Sequence, residues 1–159
     1  RGDSILDGPH WSRTYVCADG LHVSVQCLEP KFYAQFLDLM GLAGDPGFQQ
    51  QFDKAAWPTL TARLAGLFAA QSQAHWADLF LGTDACVAPV LSPAAAAAPP
   101  ANAARQTWVE AHGVLQAAPA PRFADQPAWT PPALPRRGAH SEEILAELAN
   151  RMGAPASNR

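Results

Sequence analysis

Prolines crowd one stretch of the sequence more than any other, and they set the first limit on the fold. Six of the chain's 15 prolines lie within residues 117–137, where they disfavour both helix and strand. Proline-rich segments are extended and semi-rigid, so we expect residues 117–138 to form a tether over a surface or between domains. The tether separates a folded body on its N-terminal side from a short segment on its C-terminal side.

Residues 13–28 have the pattern of a β-hairpin. The segments RTYVC and LHVSVQC are rich in residues that favour strands, and Asp19-Gly20 between them is a strong turn signal. Alternation along the second segment separates a core face from an outer face. The predicted core face consists of Leu21, Val23, Val25 and Cys27.

Three helices are predicted after this hairpin. Pro30 suits the first position of a helix, and the apolar spacing over residues 32–40 continues the pattern until GLAGDPG ends it. A second helix should begin near Pro58. A third should follow Ser72, whose hydroxyl suits an N-cap.

The rest of the chain alternates short elements with proline. DACVAPVL is predicted to be a short buried strand, and Pro89 within it indicates an edge or a bulge. Ser92-Pro93 should open a short alanine helix that Pro99-Pro100 closes. QTWVEAHGVLQ predicts a second hairpin that turns at His112-Gly113. Residues 139–152 predict an amphipathic helix with acidic residues in its first turn.

Together these elements indicate an α/β fold, and more narrowly an α+β small domain in which antiparallel hairpins pack with helices. The predicted organisation is a linker over residues 1–12, the small domain over 13–116, the tether over 117–138 and a C-terminal helix over 139–152. An amphipathic helix at the end of a long tether needs another body on which to dock.

Charge and composition exclude several classes of function. The net charge of −3 lacks the basic footprint of a nucleic-acid-binding protein. No apolar stretch approaches the roughly 20 residues that a membrane span requires. Three cysteines, an odd and sparse number, suit reduced thiols in a cytoplasmic compartment better than a disulfide framework.

Glu29 stands where the second predicted strand gives way to a helix, and two interpretations of it are open. Helix N-termini have unpaired N–H groups and a favourable dipole for negative charge, so the carboxylate could simply cap the helix. Alternatively, it could be an acid/base group held on rigid elements at the edge of a cleft. Local pattern does not choose between them.

Two other sets of residues invite a chemical interpretation that their placement disfavours. His10, Cys17, His22 and Cys27 are zinc-ligand types, but His22 and Cys27 are five apart in one strand and should point to opposite faces. We therefore predict no metal site. Cys86 could be a nucleophile, but it lies in an apolar segment without an evident histidine partner, and buried free cysteines are usually inert.

Several motifs occur in an order that resembles a known family. RTY, ADG, LEPKFYA, WADLFLGTDACVAPVL, PAPRF and GAHSEEILAEL follow one another between about Ile5 and Leu148. In this order they resemble the C-terminal part of the α-methylacyl-CoA racemases, within the family III CoA-transferase superfamily. GTDACVAPV and LEPKFYA are the specific matches.

The resemblance implies an interlocked homodimer in which each subunit has a Rossmann-like, CoA-binding large domain and a small domain. The large domain is absent from this sequence, and the last helix would return the chain to it. The active site would lie between the large domain of one subunit and the small domain of the other. It would act on acyl-CoA without a metal or organic cofactor.

The resemblance also implies a reaction and a residue. The reaction is inversion of the α-carbon of 2-methylacyl-CoA thioesters, with a His/Asp pair in the large domain and a glutamate in an EP motif, which is Glu29 here. Asp84 and His112 are not substitutes for that pair, so the fragment alone should be inactive. The alternatives are a family III CoA-transferase relative or a non-catalytic remnant that serves as an assembly module.

The sequence departs from the family pattern close to Glu29. LDGPHWSRTY is one residue shorter than the usual motif and has Trp11-Ser12 where an aromatic pair is usual. Gln26 and Cys27 replace the small residues that commonly precede the EP motif. These departures bear on substrate choice and on activity, and they leave the fold prediction unchanged.

Overall fold

The computed structural model describes residues 4–125 and 131–153. The chain divides after Ser92 into two compact units. The first contains a three-stranded sheet, three α-helices and a short 3-10 helix, and the second contains a hairpin and three helices among its described residues. This mixed architecture of antiparallel sheets and helices confirms the predicted fold class, while the domain boundaries drawn from the sequence remain predictions.

Three antiparallel strands form the sheet of the first unit. They are β1 (Ser12–Val16), β2 (His22–Gln26) and β3 (Val87–Val90), in the order β1-β2-β3. Strands β1 and β2 are the arms of the hairpin predicted over residues 13–28, with Tyr15 opposite Val23. Gly20 has a φ of 76°, which glycine adopts readily, and its N–H donates to the carbonyl of Cys17 at 3.0 Å.

The predicted core face of β2 is correct at three of its four positions. Val23, Val25 and Cys27 are fully buried. Leu21 is 52% exposed, so its assignment to the core was wrong. Strand β2 begins only at His22, and Leu21 belongs to the turn, where the alternation of strand faces does not apply.

Helices cover one face of this sheet and enclose an aromatic core. They are α1 (Pro30–Leu39), α2 (Trp57–Phe68) and α3 (Gln73–Phe80), with a 3-10 helix at Pro46–Phe48. The ring of Phe68 stacks on Tyr15 at 4.9 Å between centroids and meets Trp76 edge-on at 5.0 Å. Ser72 caps α3 as predicted, because its Oγ accepts from the N–H of His75 at 3.2 Å.

Strand β3 differs from its prediction in one respect. It is an edge strand, as Pro89 indicated, but its residues are only half-buried or exposed. Cys86 precedes the strand, has a φ of 54° and exposes its side chain. The prediction of a buried strand with a buried thiol was therefore wrong: the strand begins only at Val87, and Cys86 lies before it in a left-handed backbone conformation.

The second unit contains the predicted hairpin and two short helices before it. Its elements are α4 (Pro93–Ala96), α5 (Pro100–Ala104), β4 (Trp108–Ala111), β5 (Val114–Ala117) and α6 (Ser141–Gly153). His112 and Gly113 both have positive φ, as a two-residue hairpin turn requires. The predicted alanine helix opens at Pro93 and ends at Ala96, before Pro99-Pro100. The second short helix, α5, was not predicted; Pro100 opens it, since proline fits the first turn of a helix.

The tether, predicted over 117–138, has no helix or strand in its described parts except that Ala117 is the last residue of β5. Helix α6 follows it and carries Ile144, Leu145 and Leu148 as exposed apolar side chains. None of the helices in the described ranges is long and apolar enough to cross a membrane.

Candidate functional site

Glu29 lies at the junction of strand and helix, as predicted. It occupies the N-cap position of α1 with extended backbone angles, φ −73° and ψ 139°. Pro30 is the first residue of the helix, and the Glu29 carbonyl accepts from the N–H groups of Phe32 and Tyr33, each at 3.0 Å. The main chain is thus fixed on the helical side of the carboxylate.

Glu29 is exposed, and no cation among the described residues forms an ion pair with its carboxylate. Its side chain makes no capping hydrogen bond to α1, and the two ion pairs found in residues 4–125 and 131–153 join other residues. Two cations close to Glu29 in the sequence or sheet make other contacts: Lys31 Nζ lies 4.5 Å from the centre of the Phe32 ring, and Arg13 Nη1 donates to Thr61 Oγ1 at 3.1 Å. The geometry therefore does not support the interpretation of Glu29 as a side-chain helix cap.

A short loop before β3 is bound to the end of β2 and to α1, close enough to Glu29 for its charge to act on Cys86. The N–H of Gln26 donates to the Cys86 carbonyl at 3.0 Å, and the N–H of Asp84 donates to Gln35 Oε1 at 2.9 Å. Partial desolvation, and then the negative charges of Glu29 and Asp84, raise the pKa of the Cys86 thiol. A raised thiol pKa disfavours the nucleophilic thiolate, so Cys86 is a poor candidate for a nucleophile.

The main chain before Glu29 is held by a buried glutamine that sequence reasoning missed. Gln51 Nε2 donates to the carbonyls of Cys27 at 3.0 Å and Leu28 at 2.9 Å. The Gln51 carbonyl in turn accepts from the indole N–H groups of Trp11 and Trp57, at 2.9 and 3.0 Å. The sequence carries no local signal for this role, because Gln51 is the last of three consecutive glutamines and only the fold buries it.

His10 lies in a separate buried polar cluster of the same unit. Its Nε2 is 2.7 Å from the hydroxyl of Tyr33, which donates to the Phe48 carbonyl at 2.9 Å. Because the hydroxyl proton is used there, Nε2 must carry the imidazole proton, and Nδ1 is left buried without a partner. Burial lowers the pKa of His10 from 6.5 to about 4.

Acid should destabilise the fold through His10. The unfolded chain takes up a proton at the ordinary pKa of 6.5, whereas the folded chain resists it until about 4. Stability is therefore fully present above pH 6.5 and falls as the pH drops toward 4. We expect a loss of about 2–3 kcal/mol between about pH 7 and pH 4.5. Urea unfolding of wild type and His10→Gln at both pH values measures it, and equal losses in the two would contradict this role.

The residues that were considered as zinc ligands because of their type do not lie together. His22 is exposed and Cys27 is buried on the opposite face of β2, as strand parity predicted. Cys17, Cys27 and Cys86 are free thiols. Within the described ranges, no three residues among the histidines, cysteines and acids cluster as metal ligands would.

Comparison with known proteins gives a consistent family. The model of CoA-transferase family III matches residues 4–141. Alpha-methylacyl-CoA racemase of Mus musculus is 37% identical over 152 residues, which cover 92% of this chain and 39% of that protein. The Homo sapiens protein of the same name is 35% identical over 154 residues, covering 93% and 39%. The chain thus spans about two fifths of the length of these curated relatives.

Solved structures support the fold. The Mycobacterium tuberculosis protein Rv3272 matches with a TM-score of 0.60 at 17% identity, over 82% of this chain and 39% of that one. A CaiB/BaiF family protein from Brucella suis matches with a TM-score of 0.53 at 22% identity, over 85% and 36%. At these identities the likeness concerns the fold alone.

Proposed function

The chain belongs to CoA-transferase family III, and we propose that it forms the C-terminal part of an acyl-CoA racemase or epimerase that inverts the α-carbon of 2-methylacyl-CoA thioesters. The observation that carries the proposal is the exposed carboxylate of Glu29, which forms no ion pair within residues 4–125 and 131–153, at a junction of strand and helix. A second support is the 37% identity, over 92% of the chain, to a protein named alpha-methylacyl-CoA racemase.

The reaction requires two proton-handling groups on opposite faces of one carbon. A thioester α-proton is weakly acidic, because the electron pair left behind can be taken up by the carbonyl oxygen as an enolate. We assign one face to Glu29. As a carboxylate it removes the proton from the α-carbon; a group on the opposite face then returns a proton as the electron pair moves back.

The second group and the CoA site are proposed to lie outside this chain, in the part of the family's length that it does not cover. The same proposal includes a homodimer in which Glu29 of one subunit faces the large domain of the other.

Two features favour Glu29 as the group that handles the proton on one face of the α-carbon. Its main chain is fixed on both sides, and the positive end of α1 can stabilise negative charge that develops near the carboxylate.

A CoA-transferase relative is the second candidate, and one match favours it. A Caenorhabditis elegans protein described as a CaiB/baiF CoA-transferase family protein is 33% identical over 79 residues, covering 50% of this chain and 22% of that one. A transferase would move CoA from an acyl-CoA to a second carboxylic acid. The first acyl group would be released as a free acid, and no α-proton would be exchanged.

One assay separates the candidates. A complete protein that carries this segment is incubated with a single epimer of a 2-methylacyl-CoA in deuterated water, with and without a free carboxylic acid. We expect loss of the α-proton signal by NMR together with appearance of the other epimer. Transfer of CoA to the free acid without α-proton exchange would instead establish the transferase. Neither reaction with intact folding would indicate an assembly module and would reject the racemase proposal.

A further inference from the structure

We propose that Gln51 is a positioning residue for the Glu29 carboxylate: its side-chain amide holds the two peptide units that precede Glu29. This inference rests on the proposed function of Glu29. Gln51 is 7% exposed and spends both amide protons on main-chain carbonyls, so it would act only through the main chain that it binds.

Gln51 uses both donors of its side-chain amide and both lone pairs of its main-chain carbonyl. The amide NH2 group has two protons, and each is used, one on the Cys27 carbonyl and one on the Leu28 carbonyl. The main-chain carbonyl of Gln51 has two lone pairs, and each accepts an indole N–H, from Trp11 and Trp57. Gln51 therefore ties the end of β2 to the segments before β1 and at the start of α2.

The two hydrogen bonds from Gln51 restrict the main chain before Glu29, so that mainly the side chain of Glu29 remains free to move. The N–H of Cys27 donates to the Trp11 carbonyl at 3.1 Å, and the next two carbonyls are held by Gln51. On the other side, Pro30 restricts the backbone of Glu29, whose carbonyl is bound by the first turn of α1. A carboxylate that must reach one carbon needs such fixed support, because a misplacement of about 1 Å can cost on the order of 100-fold in rate.

A second buried glutamine provides a matched control at the other end of the same strand. Gln73 is 8% exposed, and its Nε2 donates to the carbonyls of His22 and Val90, at 2.5 and 3.1 Å. It thus bridges two main-chain carbonyls as Gln51 does, but at the start of β2 rather than beside Glu29. A merely structural role predicts that the two glutamines behave alike.

The test compares Gln51→Met with Gln73→Met in a complete protein that carries this segment. Methionine keeps the length of the side chain and removes both donors. We expect Gln51→Met to lower kcat for α-proton exchange about 10-fold or more with KM for acyl-CoA unchanged, and Gln73→Met to leave kcat within about threefold. Equal kcat values for the two variants would overturn the inference. If Gln51→Met does not fold, Gln51→Asn, whose shorter amide cannot reach both carbonyls, replaces it.

Two further measurements separate this inference from the proposed function. In a Glu29→Gln background, Gln51→Met should have no additional effect on kcat, because it acts through the missing carboxylate. If Glu29→Gln slows exchange and Gln51→Met does not, only the positioning role fails. If Glu29→Gln has no effect, the role of Glu29 and with it the positioning role of Gln51 are both rejected.

The second measurement is amide hydrogen exchange in the 159-residue chain. The amide of Phe32, which donates to the Glu29 carbonyl, should exchange its hydrogen with solvent faster in Gln51→Met than in Gln73→Met.

Discussion

Replacing Glu29 with glutamine should slow α-proton exchange at least about 100-fold in a complete protein that carries this segment, the usual scale of an acid/base contribution. Glutamine has nearly the same shape but cannot accept and return a proton. The change should affect kcat rather than KM, because it removes the group that acts on the α-carbon and leaves the surface around it. NMR of a 2-methylacyl-CoA in deuterated water measures the rate.

Glu29→Gln should not change the stability of the fold, so a slower exchange can be attributed to the loss of the carboxylate. The Glu29 side chain makes no cap hydrogen bond, and no ion pair within residues 4–125 and 131–153 involves it. We therefore expect the free energy of unfolding to change by less than about 0.5 kcal/mol, as for an ordinary surface substitution.

Asp38→Asn supplies the control on the same helix. Asp38 is another exposed acid of α1, two turns beyond Glu29, and its replacement should leave exchange at the wild-type rate. Exchange that is unchanged in folded Glu29→Gln would reject a catalytic role. Equal slowing in both variants would point to the charge of the helix surface rather than to one carboxylate.

The setting of Glu29 could be predicted because its signals are local. The Asp-Gly turn, the alternation along β2 and Pro30 lie within about a dozen residues, and each acts on its own neighbours in the chain. The same holds for Ser72 as the cap of α3 and for the turn at His112-Gly113. Where a short segment decides its own conformation, the sequence was a sufficient guide.

The main omission concerns contacts between distant residues. Gln51 bonds to carbonyls 24 and 23 positions away, and nothing within its own segment distinguishes it from Gln49 or Gln50. The errors at Leu21 and Cys86 concern the ends of strands: each residue lies just before its strand begins, where the pattern of the neighbouring residues does not fix burial. The catalytic interpretation of Glu29 likewise came from the resemblance to a family, since a helix N-terminus alone does not identify a reaction.

The 159-residue chain by itself should not exchange the α-proton of an acyl-CoA, with a rate at least about 1,000-fold below that of a complete protein. The reason is that the reaction needs two proton-handling groups around one carbon, and the proposed function assigns only Glu29 to this chain. The sequence also has neither a phosphate-binding glycine loop nor a basic cluster for the CoA moiety.

The sample for this experiment must be monodisperse, because α6 exposes Ile144, Leu145 and Leu148 in the described structure. Such an apolar face can drive association of chains, so size-exclusion chromatography should precede the assay. The chain is then incubated with a 2-methylacyl-CoA in deuterated water, alone and with a separately produced large domain of the family. We expect exchange only in the mixture, and only when Glu29 is present.

Exchange by the chain alone would contradict the division of the site between two parts of the protein. Glu29→Gln and Asp84→Asn variants of the chain would then locate the second group. Asp84 is the other acid whose charge raises the pKa of the Cys86 thiol, and its N–H donates to Gln35 Oε1 of α1 at 2.9 Å, so it is the first acid to test beside Glu29. Inversion needs proton-handling groups on both faces of the carbon. Exchange without inversion would indicate that one group both removes and returns the proton, whereas inversion would require a second group on the opposite face.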